Sequence, residues 1–263
     1  MTQTTQAAKA DRFAQLHRGP AAFVMPNAWD AGTAKILAQL GFEALATSSA
    51  ACAQGLGRRD DEITRDEALA HARAIVLATD LPVSADLENG FGHAPADVAL
   101  TIRLAGEAGL AGGSIEDASG DPSRPIYDFD AAVERVAAAV EAARALPFKF
   151  TLTARAENFF RGNPDLDDTI RRLQAFEKAG ADVLFAPALP SLDAVRSVCA
   201  ALTKPVSFMA GIKGQSFGLA ELQAAGVRRV STATSLYRAA MAALRSAARE
   251  IKDSGSFGYI DRL

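Results

Sequence analysis

Four short segments hold most of the residues that could bind a cation and polarise a small anion. They are Thr47-Ser48-Ser49-Ala50, Asp86-Leu87-Glu88-Asn89-Gly90, Glu116-Asp117 and Arg155-Ala156-Glu157-Asn158. Each ends a run with β-strand character. Residues two apart in a strand face the same side, which pairs Asp86 with Glu88, Ser114 with Glu116, and Arg155 with Glu157. Several inward carboxylates cannot all ionise in a confined site without a cation. Oxygen donors with no suitably spaced His or Cys favour Mg²⁺, or Mn²⁺, over zinc. The competing reading of these acids is that they cap loops or form structural ion pairs. Arg155 follows the inward-facing Thr151 and Thr153, so its guanidinium should reach the same place. Its planar fork suits a substrate carboxylate or phosphate, and it could equally be an internal partner of Glu116 or Glu157. The Ser48-Ser49-Ala50 turn offers hydroxyls and backbone N–H groups to an anionic group, although such runs also simply terminate strands.

These segments need elements to bring them together, and the chain supplies a regular set. Runs at Ala22–Met25, Ala44–Thr47, Val83–Asp86, Gly113–Glu116, Lys149–Ala154, Val183–Ala186, Val206–Met209 and Arg229–Ser231 read as strands. Between them lie helical patterns such as Thr64–Thr79, Asp128–Ala145 and Leu166–Ala179. Pro20, Pro82, Pro147 and Pro205 introduce the odd strands, and Gly41, Gly109, Gly180 and Gly226 end the helices before the even ones. Four βαβα units of this kind predict a closed (β/α)₈ TIM barrel, an α/β fold, as one domain over residues 1–263. An open doubly wound sheet would carry a Gly-rich phosphate loop after the first strand. Pro26-Asn27-Ala28-Trp29-Asp30 stands there instead. In a barrel the reactive groups gather at the C-terminal ends of the strands, where all four segments fall.

Composition narrows the function classes. With 28 basic and 31 acidic residues the net charge is −3, and no basic block suggests nucleic acid or an anionic membrane. No apolar run approaches the ~20 residues of a membrane span, and the first residues lack a signal-peptide core. Cys52 and Cys199 show no metal or disulfide spacing, which fits a reducing cytoplasm. His17 and His71 read as packing or surface residues. His93 alone lies near the mouth and is not expected to be a catalyst. The loop Gln54-Gly55-Leu56-Gly57-Arg58-Arg59-Asp60-Asp61-Glu62 reads by composition as a solvated βα loop, with a lid as the alternative.

With these motifs in place, the sequence resembles the isocitrate lyase and phosphoenolpyruvate mutase superfamily over nearly its whole length. The specific pieces are Gln54–Asp60, Asp86–Gly92, Ser114–Asp117 and Thr153–Glu157. The resemblance implies a barrel that exchanges a C-terminal helix in a homo-oligomer, usually a dimer of dimers. It also implies Mg²⁺ and a small anionic substrate, a 2-oxo acid or its enolate. By position, Asp86 matches the main metal-binding acid, and Glu88 and Glu116 match acids holding the metal directly or through water. Ser48, Ser49 and Ala50 match the turn that binds the substrate's anionic end, and Arg155 matches the carboxylate-binding arginine. Asp60 matches an acid on a gating loop, which favours the lid. Arg155, Glu116 and Asp60 are thus the expected catalytic residues.

The departures from the family pattern bear on the reaction. Isocitrate and methylisocitrate lyases carry a Lys-Lys/Arg-Cys-Gly-His motif after strand 4, where this chain has Ala118-Ser119-Gly120-Asp121-Pro122-Ser123-Arg124-Pro125. The Lys and Asn of the mutase branch are not evident there either. Glu88 replaces the commoner Asp, Ala46 stands where an aromatic residue often lies, and Cys52 reads as a packed thiol rather than the missing acid. Cleavage that expels CO₂ can begin without protonating its leaving group. The expected activity is therefore a Mg²⁺-dependent lyase acting on a small 2-oxo or 2-hydroxy dicarboxylate through an enolpyruvate-type intermediate. It would be oxaloacetate decarboxylase-like or alkylmalate lyase-like. The alternatives are P–C chemistry on a phosphonopyruvate-like substrate, a non-catalytic 2-oxo acid binder, and a phosphate-binding barrel using Met209–Gly214 and Ser231–Thr234.

Overall fold

The computed structural model describes residues 4–215 and 217–262. Helix α1 (Gln6–Arg18) precedes an alternation of eight strands with helices: β1 (Phe23–Met25), α2 (Ala31–Gln39), β2 (Leu45–Ala46), α3 (Ser49–Gly55), α4 (Arg65–Leu77), β3 (Val83–Asp86) and α5 (Pro95–Glu107). It continues through β4 (Gly112–Glu116), α6 (Phe129–Arg144), β5 (Thr151–Arg155), α7 (Leu166–Ala179), β6 (Val183–Phe185), α8 (Leu192–Ala200), β7 (Val206–Met209), α9 (Leu219–Ala224), β8 (Val227–Ser231) and α10 (Ser235–Ser254). All seven strand pairings are parallel, in the order β1-β8-β7-β6-β5-β4-β3-β2. A parallel bridge between Asn27 and Ala46 joins the two remaining edges. Its hydrogen bonds run from Ala28 N–H to the Ala46 carbonyl and from Ala46 N–H to the Pro26 carbonyl, at 2.8 and 2.9 Å. The sheet is thereby a (β/α)₈ barrel, as the repeat predicts.

The glycines of that repeat act as expected. Gly41, Gly109, Gly180 and Gly226 all have φ between +86° and +107°, where a side chain would be strained. The apolar core lies mainly between sheet and helices, with Ile115, Leu152, Ala154, Leu184 and Val230 turned outward and buried. The barrel interior is polar by comparison. Ser84, Thr151, Thr153, Ser207, Arg229 and Ser231 are all buried.

Two local features differ from the sequence reading. The polar N-terminal segment contains α1, whose Ala10, Phe13, Ala14 and His17 form one buried stripe. Phe13 packs with Phe23, Met25, Ala44 and Ala46 and closes the N-terminal end of the barrel. The pattern was masked because a single stripe on an otherwise polar helix has little summed hydrophobicity. The Ser48-Ser49-Ala50 turn is the start of α3, with Ser48 as N-cap, its Oγ accepting from Ala51 N–H at 3.2 Å. Cys52 is therefore in a helix, buried, and burial pushes its thiol up to about 11.

Candidate active site

The barrel mouth encloses a cavity of about 140 Å³. Its lining includes Ser48, Ser49, Ala50, Asp60, Asp86, Glu88, Glu116 and Arg155, so every site residue expected from the sequence faces one space. It also includes Asp61 and Arg161, which the sequence reading did not single out.

Arg155 is the hub of the site. As the last residue of β5 it is paired in register with Glu116, the last residue of β4. Its Nη1 donates to Asp86 Oδ1 at 2.9 Å and lies 3.1 Å from Glu116 Oε2. Nε and Nη2 meet Glu157 Oε1 at 3.0 and 2.9 Å. Both readings of Arg155 thus meet: it stands at the mouth, and internal carboxylates orient it. Ser49 reaches Asp86 from the other side, its Oγ donating at 2.8 Å and its backbone N–H at 3.3 Å to Oδ2. The Ser49 hydroxyl also lies 3.4 Å from Asp60.

Behind the mouth, buried Asp117 holds the scaffold rather than the substrate. It accepts from Glu157 N–H at 2.8 Å and from Arg172 Nη1 at 3.1 Å. Asn27, from the segment after β1, donates through Nδ2 to the Thr47 carbonyl at 2.6 Å and accepts from Thr232 N–H at 2.9 Å. It ties together the chain ends after β1, β2 and β8.

Glu88 arrives by a route that strand periodicity does not describe. β3 ends at Asp86, and Glu88 has φ +48°, a conformation rarely adopted by a non-glycine residue. Its carbonyl accepts from Glu116 N–H at 3.0 Å, which anchors the turn to β4. One carboxylate oxygen, Oε1, is buried with no hydrogen-bond partner among the described residues. Burial, reinforced by Asp86 and Asp61, raises the Glu88 carboxyl to about 9. Burial raises Asp60 too, with Asp86 adding repulsion. Glu116 is also raised by burial, against the pull of Arg155.

An orphaned buried carboxylate oxygen in a group of crowded acids is the environment a cation satisfies. Asp60, Asp61 and Glu88 each offer an oxygen within 4.8 Å of the others, an arrangement able to share one ion. Of the acids expected to bind metal, Glu88 belongs to this trio, while Asp86 and Glu116 are engaged by arginines beside it. The donors are all carboxylates, so the site fits a hard divalent cation. Asp61 lies next to Asp60 in the loop after α3, and its φ of +64° turns it toward the mouth. A second acid directly beside a candidate ligand was the available sequence signal.

Arg161 projects from the turn after β5. It donates from Nη1 to Asp61 Oδ2 at 2.9 Å and from Nη2 to Glu116 Oε1 at 3.0 Å, spanning the mouth. The loop Ala118–Pro125 is tied off elsewhere: a bridge joins Ala118 to Ile126, and the Ser119 hydroxyl donates to the Arg124 carbonyl. None of its residues lines the cavity. His93 bonds to the Tyr127 hydroxyl at 2.8 Å and lines the adjoining cleft rather than this cavity.

This geometry can now be set beside known proteins. The family model for phosphoenolpyruvate phosphomutase matches residues 13–252. The chain belongs to that family. A Corynebacterium glutamicum protein named "Probable 2-methylisocitrate lyase 2" is 32% identical over 254 residues, covering 91% of this chain and 80% of that one. A candidate lyase/mutase from Burkholderia cenocepacia J2315 has 55% identity and a TM-score of 0.96, covering 98% and 92%. The structure of 2,3-dimethylmalate lyase, of the PEP mutase/isocitrate lyase superfamily, has 28% identity and a TM-score of 0.87, covering 95% and 89%. The superfamily resemblance drawn from the motifs is thus correct, and the chain is an enzyme of the lyase class within it.

Proposed function

We propose that this enzyme cleaves a carbon–carbon bond of a small 2-oxo or 2-hydroxy dicarboxylate through an enolpyruvate-type intermediate. The observation that carries the proposal is the ring of carboxylates at the mouth, Asp60, Asp61, Asp86, Glu88 and Glu116, which meets two guanidiniums there, Arg155 and Arg161, with the third, Arg229, buried deeper in the barrel and bonded to neutral groups. That imbalance suits Mg²⁺, which Asp60, Asp61 and Glu88 would hold, with Asp86 and Glu116 lining the same cavity. When bound, the ion would supply Lewis-acid stabilisation of an oxyanion. Ser49 and the α3 start would orient the anionic end of the substrate, and Arg155 would stabilise its developing charge. In the relatives that carry it, the motif after strand 4 can protonate a departing dicarboxylate. Here Ser119, Gly120 and Asp121 of that loop border the adjoining cleft with Asp61 and Glu88, but the loop carries no Lys, Cys or His, which favours leaving groups that need no proton, such as CO₂ from an oxaloacetate-like substrate. Release of pyruvate from an alkylated malate is the nearest variant. P–C chemistry on a phosphonopyruvate-like substrate is the second reading, and the phosphomutase family model favours it.

The test is pyruvate release from oxaloacetate, alkylmalates, methylisocitrate and phosphonopyruvate, with and without Mg²⁺, in wild type and Asp86→Ala. The expected result is Mg²⁺-dependent turnover lost in the variant, with a dicarboxylate as the fastest substrate. Absence of both turnover and Mg²⁺-dependent oxalate binding would remove the metal–enolate reading.

A homo-oligomer, a dimer of dimers, forms part of the same proposal. Helix α10 has no buried residue, yet Leu244 and Ile251 on it, and Phe257 and Ile260 beyond it, are exposed and apolar. A second copy would cover them. Light scattering should give a mass of about four chains, falling with Leu244→Asp. The two unpaired cysteines favour a reducing compartment.

A further inference from the structure

We infer that Arg161 receives the second, distal carboxylate of the substrate, in the position that the Asp61 carboxylate fills in this structure. The inference rests on the proposed dicarboxylate chemistry and specifies how such a substrate is told from a monocarboxylate.

Three cations line the cavity: Arg155, Arg161 and Arg229. Arg155 is committed, because its Nη1 serves Asp86 and Glu116 and its Nε–Nη2 edge serves Glu157. Its side chain is only 11% exposed. Arg229 is buried inside the barrel, bonded to Ser207, Thr153 and His17. The arginines of the loop after α3 are already paired: Arg58 with Glu67 and Arg59 with Glu62. Arg161 differs from all of these. It lies at the rim, a quarter exposed, on the turn that follows the hub strand.

Its present partners identify what it binds. Asp61 accepts from both Nη1 and Nη2, at 2.9 and 3.3 Å, which is the two-point grip a guanidinium gives a free carboxylate. That carboxylate belongs to the loop after α3 and is 43% exposed, so the pair can open without disturbing the core. Asp61 also belongs to the trio of acids able to share a cation. Arg161 and the cation therefore compete for one carboxylate. When Asp61 turns to the cation, the Nη edge of Arg161 is left facing the cavity with Glu116 alone. The Nε–H is buried, has no hydrogen-bond partner among the described residues, and forms only a long ion pair with Glu157 Oε2 at 3.6 Å. A dicarboxylate bound by its 2-oxo or 2-hydroxy acid end carries one group that can take the place Asp61 vacates, and that group is its second carboxylate.

The experiment is calorimetric titration in Mg²⁺ buffer with oxalate, which has no distal group, and with each enantiomer of malate, which has one. Wild type, Arg161→Gln and Arg161→Lys are compared, with thermal unfolding confirming that the variants fold. Wild type should bind both ligand types. Arg161→Gln should lose malate affinity by about 10- to 100-fold with oxalate changed less than about threefold, the loss expected for a charge-assisted two-point contact. Arg161→Lys should fall between, because an ammonium keeps the charge without the fork. Equal losses for the two ligands would make Arg161 a structural brace and overturn the inference. So would no loss in either variant, or wild-type binding of oxalate without malate. Failure of wild type to bind either ligand would instead remove the dicarboxylate reading on which the inference rests.

Discussion

Arg155 and Arg229 are both buried in the same barrel, and their surroundings are opposite. Arg155, at the mouth, touches three carboxylates and lies among further acids. Arg229, nearer the end plugged by α1, touches two hydroxyls and the His17 ring, with no carboxylate in reach. Burial and the nearby charge of Arg155 pull the Arg229 guanidinium well below its ordinary value, while around Arg155 burial acts the same way but is outweighed by Glu116, Glu157 and Asp86, which together raise that group. His17 is pushed down to about 3 by burial and by Arg229, so it stays neutral and can accept through Nε2. The mouth thus has more negative charge than the protein neutralises, and the interior beneath it holds a cation served by neutral acceptors. An excess of carboxylate suits a site that must take in a cation, whereas hydroxyls and an imidazole suffice for a group that only has to stay in place.

Replacing each arginine with methionine tests this contrast most directly. Arg155→Met strands Asp86, Glu116 and Glu157 without their cation and should cost about 3–5 kcal/mol in urea unfolding, along with activity. Arg229→Met leaves no unpaired charge behind, only hydroxyls and a ring nitrogen. It should cost no more than about 1–2 kcal/mol. Equal losses would break the comparison.

The acid excess should also appear as a pH dependence. The folded-state Glu88 carboxyl, at about 9, is raised above its unfolded value. Above roughly pH 4.3 an unfolded chain has released the proton that folded Glu88 still holds. Its contribution is therefore complete below that value and lost as pH rises toward about 9. Thermal unfolding in chelator should show stability falling across this window, less steeply in Glu88→Gln. Added Mg²⁺ should raise the melting temperature most at the alkaline end. A slope identical in wild type and Glu88→Gln would refute the assignment.

The smallest effect is expected on the interior side. His17→Phe keeps the edge-on ring contacts with Phe13 and Phe23 but removes the acceptor for Arg229. It should cost about 1 kcal/mol and leave turnover unchanged, as measured by unfolding and steady-state kinetics.

How far these features could be read in the sequence varies with their cause. The strands and the long helices follow from local pattern, and Leu166–Ala179 forms as expected because its apolar period, its Asp165 cap and its Gly180 stop agree. The strand ends Asp86, Glu116 and Arg155 were legible because a barrel collects its strand termini at one face. Glu88 was legible as a site residue for an incomplete reason, since alternation does not continue past Asp86 and a left-handed turn carries its carboxylate to the mouth. Asp61 had one signal, its place beside Asp60, but its pairing with Arg161 was not legible. The two are loop residues 100 positions apart, and their contact exists only once both loops stand over the same cavity. The buried state of Arg229 was equally hidden, because an arginine in a strand gives no sign of which neighbours will enclose it.

The sequence by itself determined the alternation of elements, the closure into eight units and the chemical character of the mouth. Hydrophobic period, proline and glycine placement and residue type are properties of short segments. Tertiary structure alone decided which carboxylates meet an arginine and which gather where a cation can be shared, and it decided that α1 plugs the barrel. Those outcomes depend on distances between segments remote in the chain, and electrostatic and packing energies are functions of those distances.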